Sequence, residues 1–361
     1  MSTSEKKLKE GFTTGTAAAA GAKAALLAKA GIYLKKVETP LPIRGTFLVP
    51  VSKIEKISDN SFKAHVIKDG GDDPDVTDKA EIIVTVNFTP DSDNSVIIKG
   101  GKGVGKVTKP GLPVPVGEWA INPYPRKQIK MAVYEALKTI GERGKVEVIV
   151  EVKDGEKIAK KTLNPKLGIV GGISILGTRG TVKPFSNKAY ADTIKICMNV
   201  ASTINKESVA LCTGGRSERL LKAYLDLPDE SFIQIGDFFA FSMVVAKKLG
   251  FKRIYIGSFF GKLVKVFQKN PYTHAKCCDI DFASLADWCY KMGISEQKSV
   301  KIKNSNTASQ ALDVILSSKC CDEIITSIIK EAILYLKRFA GEIEIFYYLF
   351  DPKGKLIKSF P

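Results

Sequence analysis

From Asn187 onward the chain alternates helical and strand patterns with a regularity that leaves few folds open. ADTIKICMNVASTIN reads as helix and SVALCT as strand; RSERLLKAYLDL and SFIQIG repeat the pair, as do FFAFSMVVAKKLG and RIYIG. Strands separated by helices of this length pair in parallel, because the crossover must return the chain to the same end of the sheet. The pattern predicts a parallel sheet covered by helices. A periodic helix follows, with Ile324, Ile325, Ile328, Ile329, Ala332, Ile333 and Leu336 on one face. The strands IEIFYYLF and KLIKSF then flank Asp351-Pro352-Lys353-Gly354, which has the residues of a hairpin turn. We take 187–361 as one domain.

Residues 1–186 obey a different pattern, expected to be α+β. Thr13, Thr14 or Thr16 can cap an alanine-rich helix over about 17–30, stopped by Gly31. VETPLPIRGTFLVPV, SFKAHVIKD and EIIVTVNF are β-branched or aromatic and punctuated by turn residues, so they read as strands. SVIIKGGKGVGKVTK adds two strands around a glycine-rich connection. The prolines of 110–125 mark a structured loop. A helix is expected from about Arg126, with Ile129, Val133, Leu137 and Ile140 on one face, and KVEVIVEV reads as a strand.

Composition narrows the chemistry. Only His65 and His274 are present, and the seven cysteines form no CxxC pairs, so neither a Ser-His-Asp triad nor a zinc site is expected. The cysteines read as thiols of a reducing compartment. No secretory signal or membrane span is read, and the expected location is the cytoplasm. A net charge of +17 calls for anionic company: nucleic acid, a membrane surface or a polyanionic small molecule. No nucleic-acid-binding motif accompanies it.

Four stretches carry candidate chemistry. GGKGVGKV (100–107) approaches a phosphate loop, but Val107 replaces the metal-binding hydroxyl and the flanks read as strands. LGIVGGISILGTRG places Gly171, Gly172, Ser174, Gly177 and Thr178 after a strand and matches neither a dinucleotide fingerprint nor a nucleophile elbow. It offers close backbone approach, to a ligand or to a neighbouring strand. CTGGRSERLL sets Gly214, Gly215 and Ser217 between a strand and a helix, a place where carboxylates and phosphates bind. Gly236-Asp237 and Gly257-Ser258 end the next two strands. Finally, KDGGDDPDVTD (68–78) holds five aspartates in eleven residues. It is good turn chemistry and not an EF-hand loop, and its crowded carboxylates could include an acid or base.

Taken in order, GFTTGTAAAA, KDGGDDPDVT, GKGVGKVTKPGLPVPVGEWAINPYPR, LNPKLGIVGGISILGTRGTVKPFS, IGDFFAF and GSFFGKLVKV resemble the cobalt-precorrin-5B C(1)-methyltransferase (CbiD) family. The resemblance implies an α+β N-terminal domain and a Rossmann-like α/β C-terminal domain with helices on both faces. It implies methyl transfer from S-adenosylmethionine to ring carbon 1 of a corrin precursor that itself carries the cobalt, with no protein-bound metal. On this reading Asp72, Asp73 and Asp75 are catalytic candidates. Gly171, Gly172, Ser174, Gly177, Thr178, Gly214 and Gly215 are donor-binding candidates. Thr13, Thr14, Lys106, Lys109, Arg126, Arg179, Lys262 and His274 are substrate-binding candidates, with Arg44 a further carboxylate clamp. The family pattern has PGN-like residues where this chain has Thr213-Gly214-Gly215-Arg216. The partner implied is an anionic cobalt-corrinoid, with no nucleic acid and no membrane; self-association is left open. Competing readings are a nucleotide-dependent phosphotransferase and a basic nucleic-acid-binding protein.

Overall fold

The computed structural model describes residues 8–361, and its contacts divide the chain into two units that meet between Ser186 and Asn187. In the first unit, β1 (Lys53–Ser58), β2 (Ser61–Ile67), β3 (Glu81–Pro90), β4 (Val96–Gly100) and β5 (Gly144–Val152) form a sheet in the order β1-β2-β3-β5-β4. Every pair is antiparallel except β5 with β4. Strict alternation along β3 and β5 turns Ile82, Val84, Val86 and Phe88, and Val146, Val148, Val150 and Val152, to one buried side.

Helix α1 (Thr14–Lys29) lies in that core, and every residue from Thr14 to Ala28 is buried except Lys23. Alanine makes this burial geometrically feasible. A Cβ on Gly21 would stand 2.7 Å from Val84 Cγ2, so the helix backbone rides directly on the sheet. Helix α2 (Pro123–Ile140) begins before the expected Arg126, because proline's fixed φ suits the first helical turn. The glycine-rich stretch after β4 makes two further short ladders. Gly103–Val104 pairs in parallel with Gly172–Ile173, and Lys106–Val107 pairs antiparallel with Ile169–Val170.

In the second unit, β6 (Ser208–Cys212), β7 (Phe232–Gln234), β8 (Arg253–Phe259), β9 (Glu344–Phe350) and β10 (Leu356–Phe360) lie in the order β7-β6-β8-β9-β10. The first four in that order run parallel, and β10 returns antiparallel to β9. The helices relevant to the site are α3 (Asn187–Ile204), α4 (Gly215–Leu221), α5 (Phe239–Leu249) and α6 (Phe260–Phe267). The cover over the two faces is unequal. Val209, Leu211, Ile254, Ile256 and Ile345 join a large core with the helices, including the long helix Cys321–Ala340. On the other side Ala210, Cys212, Phe232 and Phe350 meet a small cluster with Leu221. Helix α4 stops sooner than RSERLLKAYLDL suggests, since Leu225 and Leu227 pack on this cluster from non-helical chain. The protein is thus mixed α/β with mixed sheets. Among the described residues no helix is long and apolar enough to cross a membrane, and no group of three or more His, Cys, Asp or Glu could hold a metal ion.

Candidate functional site

The acidic turn is a fastening point in the first unit. Lys9 and Asp72 clasp each other twice: Lys9 N donates to Asp72 Oδ2 at 2.7 Å, and Asp72 N donates to the Lys9 carbonyl at 3.0 Å. Lys9 Nζ meets Asp69 Oδ2 at 2.6 Å. The strands approach so closely that a Cβ on Gly71 would stand 2.2 Å from the Lys9 carbonyl, and one on Gly11 2.2 Å from that of Asp69. Both glycines are therefore required for the two segments to touch. Asp73 Oδ1 accepts from the Phe185 N–H at 3.1 Å. Asp75 is fully engaged: its Oδ2 meets Lys68 Nζ at 2.7 Å, and its Oδ1 accepts from Thr77 N and Oγ1 at 2.8 Å. Lys68 is 1% exposed, so Asp75 is its charge partner inside the protein. Burial would push the Asp75 carboxyl up, but the Lys68 ammonium and the Thr77 bonds outweigh it and hold it below its ordinary value.

The threonines of GFTTGT cap α1 and grip the 174–180 loop. Thr13 Oγ1 accepts from Thr16 N at 3.2 Å, and Thr14 Oγ1 accepts from Leu176 N at 2.9 Å. Thr16 Oγ1 donates to the Gly180 carbonyl at 2.7 Å. Gly172 and Gly177 face the protein's own atoms. A Cβ on Gly172 would stand 2.1 Å from the Gly103 carbonyl, and one on Gly177 2.5 Å from the Thr13 side chain. Ser174 is buried. Gly171 differs, with φ +85 and no atom within 4 Å of its Cβ position; it and Thr178 are exposed.

Of the cations predicted in this unit, Lys106 and Arg179 are exposed, the former with its ammonium 4.6 Å over the Trp119 ring. Lys106 begins the short strand Lys106–Val107, paired with Ile169–Val170, where a phosphate loop would open a helix, which removes the phosphate-loop reading of 100–107. Arg126 is held by the Ile121 carbonyl at 2.9 Å, and the Lys109 stem lies against Gly168. Arg44 is exposed, in the connection between the short strands Lys36–Pro40 and Thr46–Pro50.

In the second unit a cleft of about 390 Å³ opens at the carboxyl ends of β6 and β8, where ligands of open α/β sheets lie. Thr213, Gly214, Arg216 and Ser217 form one wall. Phe259 and the first turns of α6, with Gly261, Lys262 and Lys265, form the other. Ser217 Oγ shapes the first wall by accepting from Gly214 N at 3.1 Å and donating to the Gly214 carbonyl at 2.9 Å. No atom lies within 4 Å of a Cβ position on Gly214, while Gly215 meets only Gln234 Nε2, at 3.5 Å. Lys262 is paired with Asp237, which also accepts from Thr273 Oγ1 at 2.7 Å. Burial opposes ionisation of Asp237, but the Lys262 and Thr273 bonds prevail and keep its carboxyl below the ordinary range. His274 stacks on Tyr272 in the same loop, ring centroids 5.9 Å apart.

The cleft thus joins the predicted Gly214 and Lys262 and adds Arg216, Phe259 and Lys265, which were not site candidates; the buried Thr273 lies behind it, bonded to Asp237, Lys262 and Lys265. Asp237 stood out only as a strand end. Lys262 and Lys265 lie one helical turn apart, a spacing that was available as a signal. Thr273 had none.

The family described as CbiD matches residues 1–184, and its C-terminal domain family matches 272–359. Cobalt-precorrin-5B C(1)-methyltransferase of Nitratidesulfovibrio vulgaris is 44% identical over 361 residues, 98% of this chain and 92% of its own. The protein of that name from Geobacillus kaustophilus is 45% identical over 324 residues, 88% of this chain and 85% of its own. A crystal structure of the cobalamin biosynthesis protein cbiD from Archaeoglobus fulgidus is 29% identical, covering 73% of this chain and 81% of that one, with a TM-score of 0.39. With both family matches in order along it and such identity across nearly its whole length, this chain belongs to the CbiD family.

Proposed function

We propose that this chain methylates ring carbon 1 of cobalt-precorrin-5B, with S-adenosylmethionine as donor, on a Rossmann-like second domain and an α+β first domain. The observation that carries the reading is identity of 44–45% over most of the chain to relatives bearing that activity as their name. The cobalt belongs to the substrate.

The donor supplies a methyl group on a cationic sulfur open to displacement by a carbon nucleophile. Within the 171–178 loop, Gly171 and Thr178 fit such a group and would hold it, since both are exposed and the Gly171 backbone can be closely approached. Gly172, Ser174 and Gly177 support that loop from behind. No covalent enzyme intermediate is required, so the residues' work is orientation, which in well-aligned systems accounts for about 7–11 kcal/mol of barrier. Lys262, in the second unit's cleft, would hold an acetate or propionate arm of the macrocycle, while the exposed Lys106 and Arg179 add to the positive surface of the first unit. Asp72 and Asp73 each use one carboxylate oxygen in fastening the chain. The other oxygen of either could balance the sulfonium or receive a proton.

The test is incubation of the purified protein with the cobalt substrate and donor, read by mass spectrometry. The expected product is heavier by one methyl group and forms only with the donor; no such product overturns the reading. Asp72→Asn and Asp73→Asn, measured singly, should lower kcat by about tenfold or more in folded protein if either takes part as proposed. Unchanged turnover in both would leave the stretch a fastening alone.

A further inference from the structure

The charge in the second unit's cleft is not balanced by the protein. Arg216, Lys262 and Lys265 line it, and none of the lining residues is acidic. Asp237, beside the cleft, answers Lys262. The other two are steadied by neutral groups. Lys265 Nζ donates to the Cys278 carbonyl at 2.7 Å and to that of Thr273 at 3.2 Å. Arg216 donates to the Pro352 carbonyl and stands over Phe259, 5.3 Å from the ring centroid. A carbonyl orients a cation without cancelling its charge, so the cleft keeps an excess of positive charge on two anchored side chains. The anchoring is also built: Thr273 is fully buried, its hydroxyl donates to Asp237, and its carbonyl accepts from both lysines.

We propose that this cleft is a carboxylate site that takes neighbouring acid arms of a polycarboxylate macrocycle on Arg216 and Lys265. Asp237 and Thr273 act as positioning residues that hold Lys262 beside them. The inference rests on the methyltransferase reading for the identity of the macrocycle. It assigns the Gly214–Gly215 turn to substrate, because a cleft with excess positive charge repels a sulfonium and attracts carboxylates. Guanidinium and ammonium groups already aimed by carbonyls lose little freedom on binding, so each can form a charge-assisted bond with an arm.

The experiment titrates uroporphyrin, a tetrapyrrole bearing acetate and propionate arms, into the full chain and follows its absorbance and fluorescence. S-adenosylhomocysteine is titrated separately by calorimetry. Arg216→Met and Lys265→Met should each weaken uroporphyrin binding by about five- to tenfold and flatten its salt dependence, whereas Arg216→Lys should recover part of the loss. S-adenosylhomocysteine affinity should stay within about twofold. Loss of S-adenosylhomocysteine binding with uroporphyrin binding intact overturns the proposal, as does no change in either. Lysine acetylation of the wild-type protein gives a second measurement that requires no variant. Bound uroporphyrin should slow modification of Lys262 and Lys265 while S-adenosylhomocysteine does not, and equal rates overturn the proposal. The methyl-transfer assay separates the two readings. Uroporphyrin held at this cleft by a protein that transfers no methyl group would sink the function and leave the site. Methyl transfer with an unaltered KM in the methionine variants would do the reverse.

Discussion

Lys68 and Asp75 carry the clearest residue-scale consequence. An ammonium that is 1% exposed depends on one carboxylate, so Asp75→Asn leaves it uncompensated. We expect a loss of about 2–4 kcal/mol at neutral pH, read from urea unfolding of the variant against wild type. The pH dependence has a definite sign. The folded-state pKa of Asp75 lies below the unfolded value of 3.8, so the pair's contribution is complete above that value. It is lost as pH falls through the folded pKa, where wild type and variant should converge. A difference that stays constant to low pH would show that the carboxylate is not the source. Asp75 thereby differs from Asp72 and Asp73, each of which uses one oxygen in these contacts; the sequence alone presents all three as equivalent acids.

At the scale of elements, two adjacent glycines do different work. A Cβ on Gly172 would meet the Gly103 carbonyl at 2.1 Å, in the ladder that joins the glycine-rich stretch to the 167–173 segment. Gly172→Ala should cost about 2–3 kcal/mol or prevent the first unit from folding. Gly171 is open, so Gly171→Ala carries only the strain of a positive φ, about 1–2 kcal/mol. Thermal unfolding of both variants checks the ranking, and equal shifts would refute it. Strands and helices were largely legible here. Alternation marked β3 and β5, and alanine and threonine marked the buried, capped α1. The early end of α4 was not, because Leu225 follows Leu221 by four residues and Leu227 follows Leu220 by seven, both helical spacings, while their packing partners lie on a sheet face distant in sequence.

For the whole molecule, a net charge of +17 and the polycarboxylate substrate proposed above make salt a direct probe of function. Raising ionic strength from about 0.05 to 0.5 M shortens the screening length severalfold. The KM for the macrocycle should rise several-fold while kcat holds, and a salt-independent KM would refute electrostatic capture. By itself the sequence determined the local periodicities, the division of pattern near residue 186, the charge and the family motifs. These features are short-range, since burial imposes period 2 on a strand and 3.6 on a helix within a few residues. Only the tertiary structure decided that Asp72 clasps Lys9, that Gly172 makes room for Gly103, and that Thr273 steadies Asp237 and two lysines beside one cleft. Hydrogen-bond partners far apart in the chain obey no spacing rule. They become neighbours only when the hydrophobic core has set the strands and helices in place.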